Sequence, residues 1–305
     1  MKNRSITIAF ACIIWCIAYG CSNPKKQKIQ DSPKKVTPSE SAQNEIIKEY
    51  VKAFDAFAQI MPKFGQDTEA QWAADTVHVM AVSLERSSYS YPQRMAIISQ
   101  MQNYTAYGMT YFNATIGLYK NSELASYALK MIHPSDSIYN ELKKTQFKDV
   151  RLLSVFNIAS IQNMQLFVAL NRLNNDQPMG EELLSTMHAL AAMDYITQAK
   201  EYTDKEILKI SSVMDAFSFF KMIYSLVCLF SGSEEQYNEN MVPMVEFAKF
   251  VDSQSTPIFN ATEDKKKIDV MSDEEHEKWL IKATQYKIDM LRLTTKLIKK
   301  WEPTE

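Results

Sequence analysis

The sequence predicts an all-α multi-helix bundle of roughly eight to ten helices, and three observations lead there. Only six of the 305 residues are glycine, too few for a turn-rich β architecture. From Glu45 onward apolar residues recur at three- and four-residue steps, the period of helices that each bury one face. Capping boxes at Thr68–Gln71, Thr203–Glu206 and Ser272–Glu275 mark where helices open.

The chain begins with Lys2 and Arg4, followed by an apolar run from Ile6 to Tyr19. That run is shorter than the roughly twenty residues a membrane-spanning helix needs, so residues 1–20 read as a signal peptide, with small Ala18 and Gly20 framing its end. Ala18-Tyr19-Gly20-Cys21 resembles the lipobox of bacterial lipoproteins, where signal peptidase II cuts before a cysteine that carries diacylglycerol. The resemblance implies that Cys21 is the lipid-attachment residue and the acylated, palmitate-bearing start of the mature chain. It also implies a lipid-anchored protein of the bacterial cell envelope, on the periplasmic or surface side of a membrane. A plain secretory signal followed by an incidental cysteine is the alternative. Cys12 and Cys16 fall in the leader, leaving Cys228 as the one cysteine of the body. Within its apolar run Met222–Phe230 it reads as a buried, inert thiol.

Residues 21–44 hold three prolines, five lysines and few large apolar side chains, and read as the lipidated cysteine with a flexible linker. Residues 45–302 read as a single all-α domain. Ile46, Tyr50, Phe54, Phe57 and Met61 give the inward face of its first helix, which Pro62 and Gly65 end. The second helix opens at Thr68 and runs through Trp72, Val79 and Leu84. The third extends from Pro92 to about Tyr119, with Gly108 marking close approach of a neighbour. Asn121–His133 and Ser135–Phe147 read as two shorter helices about Pro134. Lys148–Leu173, apolar on nearly every side, reads as the centre of the bundle. A helix over Glu181–Tyr202 comes next. Lys205–Phe230 resembles a membrane span in hydropathy, but Asp215 and Lys221 make it a buried helix of a packed domain. The next helix is kinked or restarted at Pro243, and Ser253–Met271 reads as a polar excursion. A last helix runs from Ser272 to Trp301.

No His-Glu-x-x-His pair, phosphate loop or nucleophile motif occurs. Asp75/His78 and Asp273/His276 place an acid three residues before a histidine, on one helical face, as di-iron bundles place Glu and His. The inward glutamates such a centre needs on other helices are not apparent. Net charge of −2 offers no basic face of the kind nucleic acid selects, so no nucleic-acid partner is expected. The residues best suited to a ligand are Tyr104, Tyr107 and Tyr111, which share a helical face and combine stacking with hydrogen bonding; filling a helix contact is the alternative for them. These features predict a noncatalytic binding or scaffolding module, without catalytic residues, metal or cofactor. It is anchored to a membrane through its N-terminal lipid and has a protein, peptide or glycan partner. A metal-dependent helical-bundle enzyme and a carrier of an apolar ligand are the alternatives.

Overall fold

The computed structural model describes residues 38–60, 68–86, 89–115, 135–174, 191–192, 194–196, 198–231 and 233–300. Among these every regular element is helical, in the order α1 (Pro38–Ala58), α2 (Thr68–Arg86), α3 (Tyr91–Thr115), α4 (Val150–Asn174), α5 (Asp204–Phe230), α6 (Glu234–Glu263) and α7 (Asp273–Lys300). Residues 135–144 add a shorter helix. The all-α multi-helix bundle is therefore observed. Cys21, Met61, and the helices expected over 121–133 and in the first half of 181–202, lie outside the described residues.

α2 packs on α3, α3 on α4 and α4 on α5; α5 in turn holds α6 and α7, which touch each other. Tyr50, Phe54 and Phe57 are buried as their spacing predicts, and the Tyr50 ring meets Phe219 of α5 edge-on at 6.3 Å. Two capping boxes form as predicted. Thr203 Oγ1 accepts from the Glu206 amide while Glu206 accepts from the Thr203 amide, and Ser272 and Glu275 repeat the exchange. At the start of α2, Gln71 instead donates forward to Asp75 Oδ1 at 2.8 Å.

Several expectations are corrected. α1 starts at Pro38, so the last seven residues of the stretch read as linker are helical; proline's fixed φ suits a first helical position. α6 continues through Pro257 to Glu263, where a polar excursion was expected. Met244, Phe247, Val251, Ser255 and Ile258 are buried at helical spacing while Pro257 faces solvent. Burial of that stripe outweighs the lost hydrogen bond. A left-handed Lys265 (φ 53°) ends the segment, with Lys266 N–H on the Ala261 carbonyl at 2.8 Å.

α4 is not the most enclosed element. Arg151, Val155, Ile158 and Gln162 form a partly exposed stripe along it, whereas α3 is buried at every position from Ser99 to Thr110 and α5 buries sixteen side chains. α5 is long and apolar enough to cross a membrane, yet 61% of its most apolar window is buried by its neighbours. Toward its C-terminal end a weakly covered stripe carries Lys221, Tyr224, Ser225 and Cys228, so Cys228 is exposed and not buried. Lys221 and Ser225 mark that side in the sequence, and Cys228 follows them at helical spacing.

Candidate functional site

α2 buries mostly small residues. Ala70, Ala73, Ala74, Val77 and Ala81, with Leu84 at the far end, are the buried face, and small side chains allow α3 to come close. Trp72 and Val79, through which the second helix was read to run, are 46% and 68% exposed. Seven residues apart, they share one side of the helix, about 10 Å apart along its axis at 1.5 Å per residue.

The tyrosines singled out by sequence lie beneath Trp72. Its ring stands edge-on to Tyr104 (5.2 Å, 80°) and to Tyr107 (5.6 Å, 76°), and Tyr107 in turn meets Tyr111 at 5.1 Å. Tyr104 and Tyr107 are buried and Tyr111 is half-buried. Tyr107 Oη donates to Glu69 Oε2 at 2.7 Å and Tyr104 Oη to Asp136 Oδ1 at 3.0 Å. Burial and the Asp136 charge push the Tyr104 hydroxyl up to about 12, and burial with the Glu69 bond raises Tyr107 further. Both therefore stay protonated donors. The three form a pedestal of packed rings, and the most exposed aromatic surface is that of Trp72, Tyr111 being partly accessible as well. Sequence reasoning missed this because Trp72 lies at an apolar position of a helix whose alanines carry the packing.

A buried amide relay supports the pedestal. Asn163 Nδ2 donates to Ser135 Oγ (2.6 Å) and to Asn103 Oδ1 (3.0 Å), Asn103 donates to Gln100 (3.0 Å), and Gln100 donates to Asp136. Asp136 thus closes both the relay and the Tyr104 bond, tying α3 to α4 and to helix 135–144. Inside a core such bonds strengthen each other and fix one arrangement.

The acid–histidine pairs do not act together. His78 Nδ1 pairs with Asp55 of α1 at 2.8 Å while Asp75 accepts from Gln71. Asp273 is held by Lys205 and, at 2.8 Å, by Lys209; its neighbour in sequence, His276, turns inward to Ser212 Oγ at 2.8 Å. Among the described residues no three His, Cys, Asp or Glu side chains converge to hold a metal.

A second surface feature is a hollow of about 620 Å³ between α1 and α7, walled among the described residues by Lys52, Arg292, Lys296, Lys299 and Lys300 against one acid, Glu49. Glu49 bonds Arg292 at 2.6 Å, so the hollow keeps a positive balance.

No family model matches the chain, and no curated protein or solved structure matches it either.

Proposed function

We propose that this chain is a noncatalytic, lipid-anchored binding module of the bacterial cell envelope, tethered through Cys21 and holding a protein, peptide or glycan on the exposed face of α2. One observation carries the binding part: Trp72, half-exposed, rests edge-on upon two buried tyrosines whose hydroxyls are tied to Glu69 and Asp136. A tryptophan held this way loses little rotamer freedom on association, and such rings dominate interface energetics. Val79 adds a second exposed apolar side chain two turns on, with the polar Asp75 and Thr76 between the two. The resemblance at Ala18–Cys21 supports the tether, and the basic hollow beside α1 suits the anionic headgroups next to which an anchored chain would sit.

Two experiments test the two parts separately. A photo-crosslinking side chain at position 72 or 79, in intact envelopes, is expected to give one discrete adduct, and the same group at exposed position 144 none. Identical adduct patterns from both faces would refute the α2 surface. Cys21→Ser is expected to move the protein into the soluble fraction; a normally cleaved variant that stays with membranes would refute the anchor.

A further inference from the structure

The hollow between α1 and α7 gathers one sign of charge on a chain whose net charge is −2. Elsewhere exposed lysines sit beside acids, as Lys48 does with Glu45, Lys144 with Glu141 and Lys278 with Glu274. Around the hollow Lys52, Lys296, Lys299 and Lys300 are exposed and form no ion pair among the described residues. The wall's one acid, Glu49, is taken by Arg292 at 2.6 Å.

Helical spacing brings these charges together. Arg292, Lys296 and Lys299 follow one another at steps of four and three along α7, and Glu49, Lys52 and Ala56 do so along α1, so each set shares a face. Lys299 and Lys300 lie in the last turn of α7, where the negative end of the helix dipole favours a cation. That reason does not extend to Lys52 or Lys296. Arg292 and Lys296 are a like-charge pair four residues apart, an arrangement that costs an isolated helix stability.

The form of the hollow restricts what it meets. Its volume of about 620 Å³ is far more than one inorganic phosphate fills. Ala53 and Ala56 bring no side-chain hydrogen-bonding group to the wall. Lysine is a point charge on a long flexible stem, without the planar fork that fixes a single phosphate. Such a wall is suited to a field of many negative groups more than to one bound molecule.

We propose that the α1–α7 face docks on a bilayer surface bearing anionic headgroups. The proposal rests on the tethered reading for its setting, because a chain held by Cys21 meets such a surface continuously. Lys25, Lys26, Lys28, Lys34 and Lys35 occupy the sequence between that cysteine and α1. The attraction itself needs no lipid on the chain. Each cation close to the surface is worth about fivefold in affinity.

The test is cosedimentation of the mature chain carrying Cys21→Ser, at constant ionic strength, with phosphatidylcholine vesicles that contain or lack phosphatidylglycerol. Binding is expected only to the anionic vesicles. Lys296→Gln with Lys299→Gln is expected to weaken it about thirtyfold. Glu49→Gln, which removes the wall's one acid, is expected to strengthen it about fivefold, a gain that poor folding does not imitate. Lys144→Gln with Lys278→Gln changes the net charge as much as the first pair does and is expected to leave binding within about twofold. Equal loss from both lysine pairs, or none from the first, overturns the proposal. So does inorganic phosphate that saturably displaces the chain from vesicles, since the hollow would then take a free anion. Failure of the anchor is read separately, as a Cys21→Ser chain that stays with cell membranes through a high-salt wash, which screens the contact proposed for the hollow.

Discussion

Lys287 of α7 donates to Asp215 of α5 inside the bundle, with the two side chains only 10% and 16% exposed. The ammonium also lies 5.2 Å from the centre of the Phe219 ring and 5.8 Å from that of Tyr50. Such a pair is weak testimony to stability as a pair but strongly resists losing one member. Lys287→Met, which strands the carboxylate, is expected to cost about 3–5 kcal/mol and to lower the melting temperature by roughly 10 °C. Lys287→Met with Asp215→Leu is expected to recover most of that. Urea unfolding of both variants checks it; a double variant as unstable as the single one would show that the charge imbalance is not the cause.

The pedestal under Trp72 makes an asymmetric prediction. Glu69→Ala removes the carboxylate acceptor of a buried hydroxyl and leaves Tyr107 Oη only Tyr111, which is expected to cost about 1–3 kcal/mol. Tyr107→Phe removes the donor instead and leaves a half-buried carboxylate that water can reach and that keeps other interactions, so its cost is expected to be smaller. Chemical denaturation of the two single variants and the double variant decides; equal costs would mean that the bond does not hold the ring.

The parts of this fold legible in sequence were those written locally. The Thr203 and Ser272 capping boxes lie within four residues, and the Tyr50–Phe57 face repeats at helical spacing, so each could be read without knowing its neighbours. Trp72 could not be placed so. An apolar residue's direction depends on which side of its helix the neighbours cover, and α2 is covered along its alanines. Pro257 misled for a related reason: its local cost is real, but a stripe from Met244 to Ile258 packed against the core sustains the helix through it. The tyrosines 104, 107 and 111 were found from their shared helical face, yet their partners Glu69, Trp72 and Asp136 come from other elements.

The outward placement of Cys228 is directly measurable. As the one cysteine among the described residues, it is expected to react with a maleimide in the native protein at a rate close to that after denaturation. Mass spectrometry of the labelled chain locates the adduct. Protection until unfolding would mean that the stripe from Lys221 to Cys228 is covered, by a partner or a second copy.

His276 gives the domain a pH dependence of known sign. Burial first, and then the Lys209 charge, hold its imidazole down at about 4 from an ordinary 6.5, with Asp273 opposing weakly and Lys205 adding to the depression. Ser212 Oγ donates to the Lys209 carbonyl at 2.6 Å, so the neutral ring meets it through an Nε2–H donor; Trp279 stacks on one side and Tyr91 stands edge-on. Between pH 6.5 and 4 the unfolded chain takes up a proton that the folded chain refuses. The contribution is therefore whole above about 6.5 and declines as pH falls through that window, by about 2 kcal/mol at pH 5. Asp273, held near 2 by its bonds to Lys205 and Lys209, acts in the same direction only below its ordinary 3.8. Carboxylates held low at Glu45, Glu206, Glu274 and Glu275 act in the same direction and begin to count near their ordinary 4.5. Comparing unfolding midpoints at pH 7.5 and pH 5 thus reads mainly the histidine. His276→Phe keeps the stack on Trp279 and leaves Ser212 bonded to Lys209, and is expected to flatten the difference. A slope that survives this substitution would place the titrating group elsewhere.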